Sequence, residues 1–401
     1  MILRDKILVQ LHRKEASFRE FDASLHDESK IYEEKLRQLA ELSSAELIAR
    51  LGGQKTPGAL PTAEFDAAPN LCLPFPNQWN NHAEARAWAC EALLGHTTFA
   101  VDGSQIPPHP GFSIPVAAVQ VAWFENHHTR EGSYIKETEI EVLSPGDLRV
   151  ENENDRAEQK INARRFELEV GKLCSLIADF AKRRPANSSL PVALFDSSLV
   201  ISFADRLQEK MRERHVNAML ELLQCSEQAG IPLIGYVDAS DARDLIRMIG
   251  HCFGLPDAGQ LHDAELISGL LHWGARTPFF ECKRGSADMN QPSVLEMFES
   301  QGQPLGFVYL KTTALLPPAR LEIPMWVYRQ GLLDEVLDIV RAEVIVGNGY
   351  PYAIEAADAT AVINTRDRES FYALFQQFAE KQGIDLRVSP KAASKVRRRY
   401  N

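Results

Sequence analysis

Apolar and polar positions change period several times along the chain. Between 29 and 50, Leu36, Leu39 and Ile48 recur at helical spacing, which predicts an amphipathic helix that Gly52-Gly53 ends. Pro57, Pro61, Pro69, Pro74 and Pro76 then mark a linker. Helical spacing returns over 81–94. A short apolar run over 98–102 predicts a first strand, a nearly all-apolar run over 113–124 a central second strand, and 134–143 a third. A long helix over 154–183, a strand over 192–196, a helix over 199–229, a strand over 232–237 and a helix from 241 follow. Three consecutive strands suit a meander, and the later alternation suits parallel crossovers. The class is α/β: a mixed five-stranded sheet flanked by helices, with a helical N-terminal arm. In this order the first and fourth strands end side by side. The rest of the chain adds helices over 263–272, 332–342 and 353–363 and strands over 307–311 and 321–327, which read as extensions of the same domain. The expected division is arm and linker over 1–78, one large domain over 79–385 and a basic tail over 386–401.

Composition narrows this little. Of 401 residues, 45% are hydrophobic and 25% charged, as in an ordinary globular protein. No apolar run reaches the roughly 18–20 residues that span a bilayer. The N-terminus turns polar too soon for a secretory signal. The six cysteines are scattered without a Cys-x-x-Cys pair, which argues against a zinc site and suits reduced thiols in a cytoplasm. A net charge of -11 argues against a protein that coats nucleic acid with its whole surface, though a local basic groove is compatible with it. The basic clusters at 182–184, 210–214 and 391–399 read first as solvated helix ends and a tail.

Candidate chemistry starts at Asp102, which ends the first apolar run and is followed by Gly103 and Ser104. The pattern recurs as Phe195-Asp196-Ser197-Ser198 at the end of the fourth strand. Alone, each has an ordinary reading: Asp-Gly is a turn pair, and Asp196 suits the N-cap of the next helix. Together they place two carboxylates at neighbouring strand ends, and a bound divalent cation is the usual reason for holding like charges so close. A third carboxylate should come from the intervening helix. There Phe166, Val170, Leu173 and Ile177 form the buried stripe, Glu169 borders it, and Glu167 points more outward. The alternative for Glu169 is a helix-surface pair with Arg165. The fourth candidate is Asp358, set among alanines where an unpaired carboxylate is costly; an exposed helical Asp is its alternative, and Glu355 lies one turn earlier. Three or four convergent carboxylates holding two divalent ions are the apparatus of phosphodiester hydrolysis.

With these segments in hand, the strand–helix order resembles that of the ribonuclease H-like fold, and the motif order resembles the NurA nuclease family. Val-Asp-Gly-Ser-Gln at 101–105 resembles its first motif, the helix ending at Glu169 its second and Phe-Asp-Ser-Ser-Leu at 195–199 its third. Gly-Tyr-Val-Asp at 235–238, the stretch from Asp263 through Leu-Leu-His-Trp-Gly-Ala-Arg-Thr at 270–277, the segment 319–326 and Gly-Tyr-Pro-Tyr at 349–352 complete the order over about 80–370. The resemblance implies a ribonuclease H-like, Piwi-like core with Asp102, Glu169, Asp196 and Asp358 as catalytic and metal-binding residues. Ser104, Arg165, Arg276 and Tyr350 are the candidate substrate contacts. It also implies two Mn²⁺ ions, with Mg²⁺ as the alternative. The implied activity is 5′-to-3′ exonuclease action on single- and double-stranded DNA with single-strand endonuclease action. The implied assembly is a homodimer working with the hexameric ATPase HerA in DNA end processing. Two departures stand out. Asp-Ser-Ser replaces the usual Asp-Gly-Ser, and Asp358 stands where many members place a histidine, so an imidazole acid is missing there.

Two rivals belong to other classes. Sugar kinases and chaperone-type ATPases also open with a strand-end Asp and Gly, but no further glycine-rich phosphate loop follows Asp196. A degenerate nuclease fold serving as an adaptor or clamp on an ATPase ring is the non-enzymatic alternative.

Overall fold

The computed structural model describes residues 4–149, 157–185, 188–256, 258–285 and 291–389. The expected start of the long helix at 154–156 and most of the expected basic tail lie outside the described residues. The strands are β1 (Gly58–Pro61), β2 (Thr98–Ile106), β3 (Ala117–Asn126), β4 (Tyr134–Leu143), β5 (Val192–Phe195), β6 (Leu233–Val237), β7 (Phe280–Lys283), β8 (Leu305–Leu310) and β9 (Ala319–Pro324). They form a nine-stranded sheet of order β1-β7-β8-β9-β6-β5-β2-β3-β4, not the five-stranded sheet expected. The five expected strands are β2 to β6. β1 carries no strand pattern in the sequence because its four residues sit in a proline-rich stretch, and β7 carries little because it is equally short. The chain divides into two compact units, Met1–Gln78 with Tyr236–Met325, and Trp79–Gly235 with Trp326–Asn401.

In the first unit, the helix expected over 29–50 is two helices, Glu15–Leu39 and Ser44–Leu51. Ser43 restarts it: its side chain accepts from the Glu46 amide while Glu46 caps Ser43 in return, and Gly52 closes the turn at φ 60. The preceding Arg4–Arg13 helix buries none of its side chains. β1, β7, β8 and β9 pair antiparallel in succession. Asp263 accepts from the amides of Asp244, Leu245 and Ile246 and so caps the Asp244–Phe253 helix. The helix expected over 263–272 stops at Ile267, and the strand expected over 321–327 gives way to a helical turn, Met325–Arg329.

The second unit carries the site-bearing strands. β2, β3 and β4 form the expected antiparallel meander. β2 and β5 run parallel with Val101 opposite Phe195, and β5 runs parallel to β6. Alternate residues of β2 face opposite sides of the sheet. One side meets the Ala157–Arg183 helix: Phe99 packs edge-on to Phe180, and Gln105 donates to Asn162 at 2.7 Å. The other side meets the Tyr352–Ala361 helix, where Phe124 of β3 packs on Tyr352 and Gln120 donates to the Ala361 carbonyl at 3.1 Å. On that side too, the fully buried Glu343 of the Leu333–Val346 helix accepts from Thr98 Oγ1 at 2.9 Å and from the Ala353 amide at 2.8 Å. The helix expected over 199–229 begins only at Glu209; a left-handed Ile201 and a short turn of 3₁₀ helix fill the interval.

Arg276 belongs to the first unit. It is 4% exposed, and its guanidinium forks onto Glu64 at 2.6 and 2.8 Å. Removing one partner of a buried pair strands the other charge. Glu64→Ala should therefore lower unfolding stability by about 3 kcal/mol, read as a reduced urea midpoint with an unchanged slope; an unshifted midpoint would show that Arg276 does not need this partner.

Candidate active site

β2 ends its apolar stretch at Val101 and presents Asp102 while still paired with β3. β5 stops at Phe195, in register with Val101, so Asp196 follows on the neighbouring strand end, where strands lie about 4.8 Å apart. Asp102 is partly buried, whereas Asp196 is exposed. The helix expected to follow Asp196 does not start there, so the residue serves as no helix cap.

Glu169 arrives from the Ala157–Arg183 helix on the opposite side of β2 from Asp358. It reaches the strand because residue 103 is glycine: a Cβ built there would lie 2.3 Å from Glu169 Oε1 and 2.9 Å from its Cγ. Gly103 is therefore a matter of space. Its φ is not positive, so backbone freedom, the other reason for glycine after Asp102, plays no part. Any side chain at 103 would push the carboxylate off the sheet.

The carboxylates sense one another. Burial pushes Asp102 up to about 6, and the charges of Asp358 and Asp196 add to this, against the Gly103 amide and Arg165. Burial pushes Glu169 up to about 7, with Asp102 and Asp196 adding to it and Arg165 opposing. Arg165 Nε stands 3.4 Å from Glu169 Oε1, yet this buried nitrogen has no hydrogen-bond acceptor. Glu167 sits apart, gripped by Arg214 and Arg164. Asp358 and Glu355 are both exposed on the Tyr352–Ala361 helix; of the two, Asp358 is the one whose charge reaches Asp102.

Tyr350 donates its hydroxyl to Asp196 Oδ1. The residue expected as a substrate contact thus stands beside one of the four carboxylates. The sequence signal was only its position before Pro351 and the helix that bears Asp358. Ser104 lies on the Asp102 side of β2, opposite Gln120 of β3. Arg276 belongs to the other unit, where its guanidinium forks onto Glu64. Among the described residues, no three His, Cys, Asp or Glu side chains stand close enough to grip a metal ion as they lie. The donor set nonetheless suits one. It is all hard oxygen, and its two innermost members are destabilised as anions.

A family model described as the NurA domain matches residues 96–363, a span that includes all four carboxylates. The crystal structure of the NurA nuclease from Sulfolobus solfataricus is similar at 15% identity, over 72% of this chain and 85% of that one, with a TM-score of 0.48. A NurA crystal structure with manganese is similar at 10% identity, over 88% of this chain and 98% of that one, with a TM-score of 0.40. No curated protein sequence matches the chain.

Raised carboxyl pKa values mean that the fold holds more protons than the unfolded chain from about pH 4 to 7, so this pair's contribution to stability falls as pH rises through that window. Glu169→Gln should raise cation-free stability at pH 8 by on the order of 1–3 kcal/mol. The gain should shrink toward pH 5, where the wild-type carboxyl is already protonated. Thermal unfolding at the two pH values checks this, and a variant less stable than wild type at pH 8 would contradict it.

Proposed function

The chain belongs to the NurA family, and on that premise we propose that it is a divalent-cation-dependent DNA nuclease. The observation that supports this most is the delivery of Asp102 and Asp196 by parallel β2 and β5, with Glu169 lodged against Gly103. We read β2 to β6 with their helices as a ribonuclease H-like core, and 79–385 as the nuclease domain that contains it.

Asp102, Glu169, Asp196 and Asp358 would hold the cation, Mn²⁺ or Mg²⁺, as two ions. When bound, such ions polarise the phosphate, supply a nucleophile from water and stabilise the leaving oxygen. Asp358 is exposed on its helix, and exposed side chains change rotamer quickly, which allows the set to close. Tyr350 orients Asp196 through its hydroxyl. Arg165, partly exposed beside Glu169, is placed to offer its guanidinium to a phosphate oxygen, and Ser104 lies on the same strand as Asp102. Asp358 can hold a cation or orient water, but it offers no imidazole proton.

The family resemblance supports the finer reading: 5′-to-3′ exonuclease and single-strand endonuclease action on DNA, as a cytoplasmic homodimer acting with a HerA-type hexameric ATPase in end processing. For the ATPase dock we favour the N-terminal arm within 1–78, where Ile7, Leu8, Val9, Leu11, Phe18 and Phe21 are all more than 40% exposed. An adaptor without catalysis is the second reading. In its favour, Asp-Ser-Ser and Asp358 depart from the family's usual Asp-Gly-Ser and histidine.

Purified protein should degrade 5′-labelled single-stranded DNA with Mn²⁺. Asp102→Ala should slow this by about 10³-fold, or about 4 kcal/mol of transition-state stabilisation, while DNA binding persists. Absence of cleavage under any divalent ion, with or without the ATPase, would sink the nuclease reading. Co-elution with the ATPase should be lost on removing residues 1–50; undiminished binding places the dock elsewhere.

A further inference from the structure

Glu343 is a fully buried carboxylate in the helix Leu333–Val346, where Val344, Ile345 and Val346 follow it and the nearby Arg341 is paired with Asp338. Burying such a group costs several kcal/mol unless its oxygens are satisfied. Here both are engaged, by three different elements. Oε1 accepts from Thr98 Oγ1 at 2.9 Å and lies 3.3 Å from His128 Nε2. Oε2 accepts from the Ala353 amide at 2.8 Å.

Two of these partners lead to the carboxylate site. Thr98 begins β2 and shares a strand face with Asp102, about 13 Å further along. Ala353 lies in the first turn of the helix that carries Asp358, about 7.5 Å further along its axis. One rigid side chain thus ties the base of the Asp102 strand to the start of the Asp358 helix. The third partner is set in place at a cost. His128 has φ 44, a left-handed conformation that a non-glycine residue adopts with strain, and its Nδ1 is held 2.7 Å from the His96 carbonyl. An apolar residue at 343 would fill the same space without tying these elements together.

We propose that Glu343 is a positioning residue that sets the spacing of Asp102 and Asp358 for cation binding. The proposal rests on the nuclease reading above. Glu343→Gln keeps the shape but removes the charge and one acceptor: either the Ala353 amide loses its partner, or a donor stands at the Oε1 position and the Thr98 hydroxyl must reverse to accept from it. Thr98→Val removes the strand bond alone.

The test is Mn²⁺ affinity by calorimetry on the cation-free full chain, together with single-turnover cleavage and DNA affinity in Ca²⁺. Glu343→Gln should lose about 10- to 100-fold in Mn²⁺ affinity, as for residues that orient metal ligands, with a matching fall in cleavage at limiting Mn²⁺. DNA affinity should stay within about twofold, because no DNA contact is removed. Thr98→Val should shift Mn²⁺ affinity in the same direction by less, and it decides the matter if Glu343→Gln fails to fold. Wild-type Mn²⁺ affinity in the folded variants overturns the proposal, as does a loss of cleavage that only tracks the folded fraction. Wild type that neither binds Mn²⁺ nor cleaves, or an active Asp102→Ala, overturns the nuclease reading instead. Active wild type, inactive Asp102→Ala and unaltered Glu343→Gln overturn this inference alone.

Discussion

Repulsion among carboxylates in a poorly solvated corner is the constraint around which the second unit is arranged. Asp102 and Glu169 each pay a desolvation penalty, and each is raised further by the charge of its neighbours. A fold selected for stability alone would replace them with neutral or apolar groups. The surrounding structure holds them in place: nine residues of β2 are paired to β3, and β2 is paired to β5 on its other edge. Glu169 stays because Gly103 leaves it room.

The two sides of β2 contribute differently. From one, the Ala157–Arg183 helix brings Glu169 and its companion Arg165, a cation that offsets part of the repulsion. From the other, the short Tyr352–Ala361 helix brings Asp358, and Tyr350 just before that helix bonds to Asp196. The first helix is long and anchored by Ile161, Val170, Leu173, Ile177 and Phe180. The second has few turns, and its first turn is tied to a buried carboxylate. Placement of Asp358 therefore rests on the buried face Ala353, Ile354, Ala356, Ala357 and Ala361 together with this hydrogen bond.

The first unit solves a different electrostatic problem. Arg320 is 1% exposed yet lies between Asp244 and Glu322, both at 2.8 Å, and over the ring of Phe307 at 3.8 Å. Arg276 is matched by Glu64. These charges are paired one against another, whereas those beside Asp102 are mostly of one sign. That contrast separates an architectural ion network from a candidate reactive one.

Local pattern determined the elements that carry Asp102, Glu169 and Asp196. Strand alternation, the helical stripe Phe166, Val170, Leu173 and Ile177, and the turn residues after Asp102 act over a few residues, and a linear reading captures them. The boundaries of β4 and the meander of β2 to β4 were legible for the same reason. What remained illegible was set by partners far away in the chain. β1 is four residues in a proline-rich stretch and becomes a strand only because β7 pairs with it. The partners of Arg276 and Tyr350, Glu64 and Asp196, lie more than 150 residues away in the chain, beyond any local pattern. Glu343 carried a faint signal, a carboxylate among valines and isoleucines, but its partners Thr98 and Ala353 lie on separate elements. Periodicity reports which face of an element is buried. Only tertiary structure decides what that face meets, because a buried polar group takes its meaning from the atom opposite it.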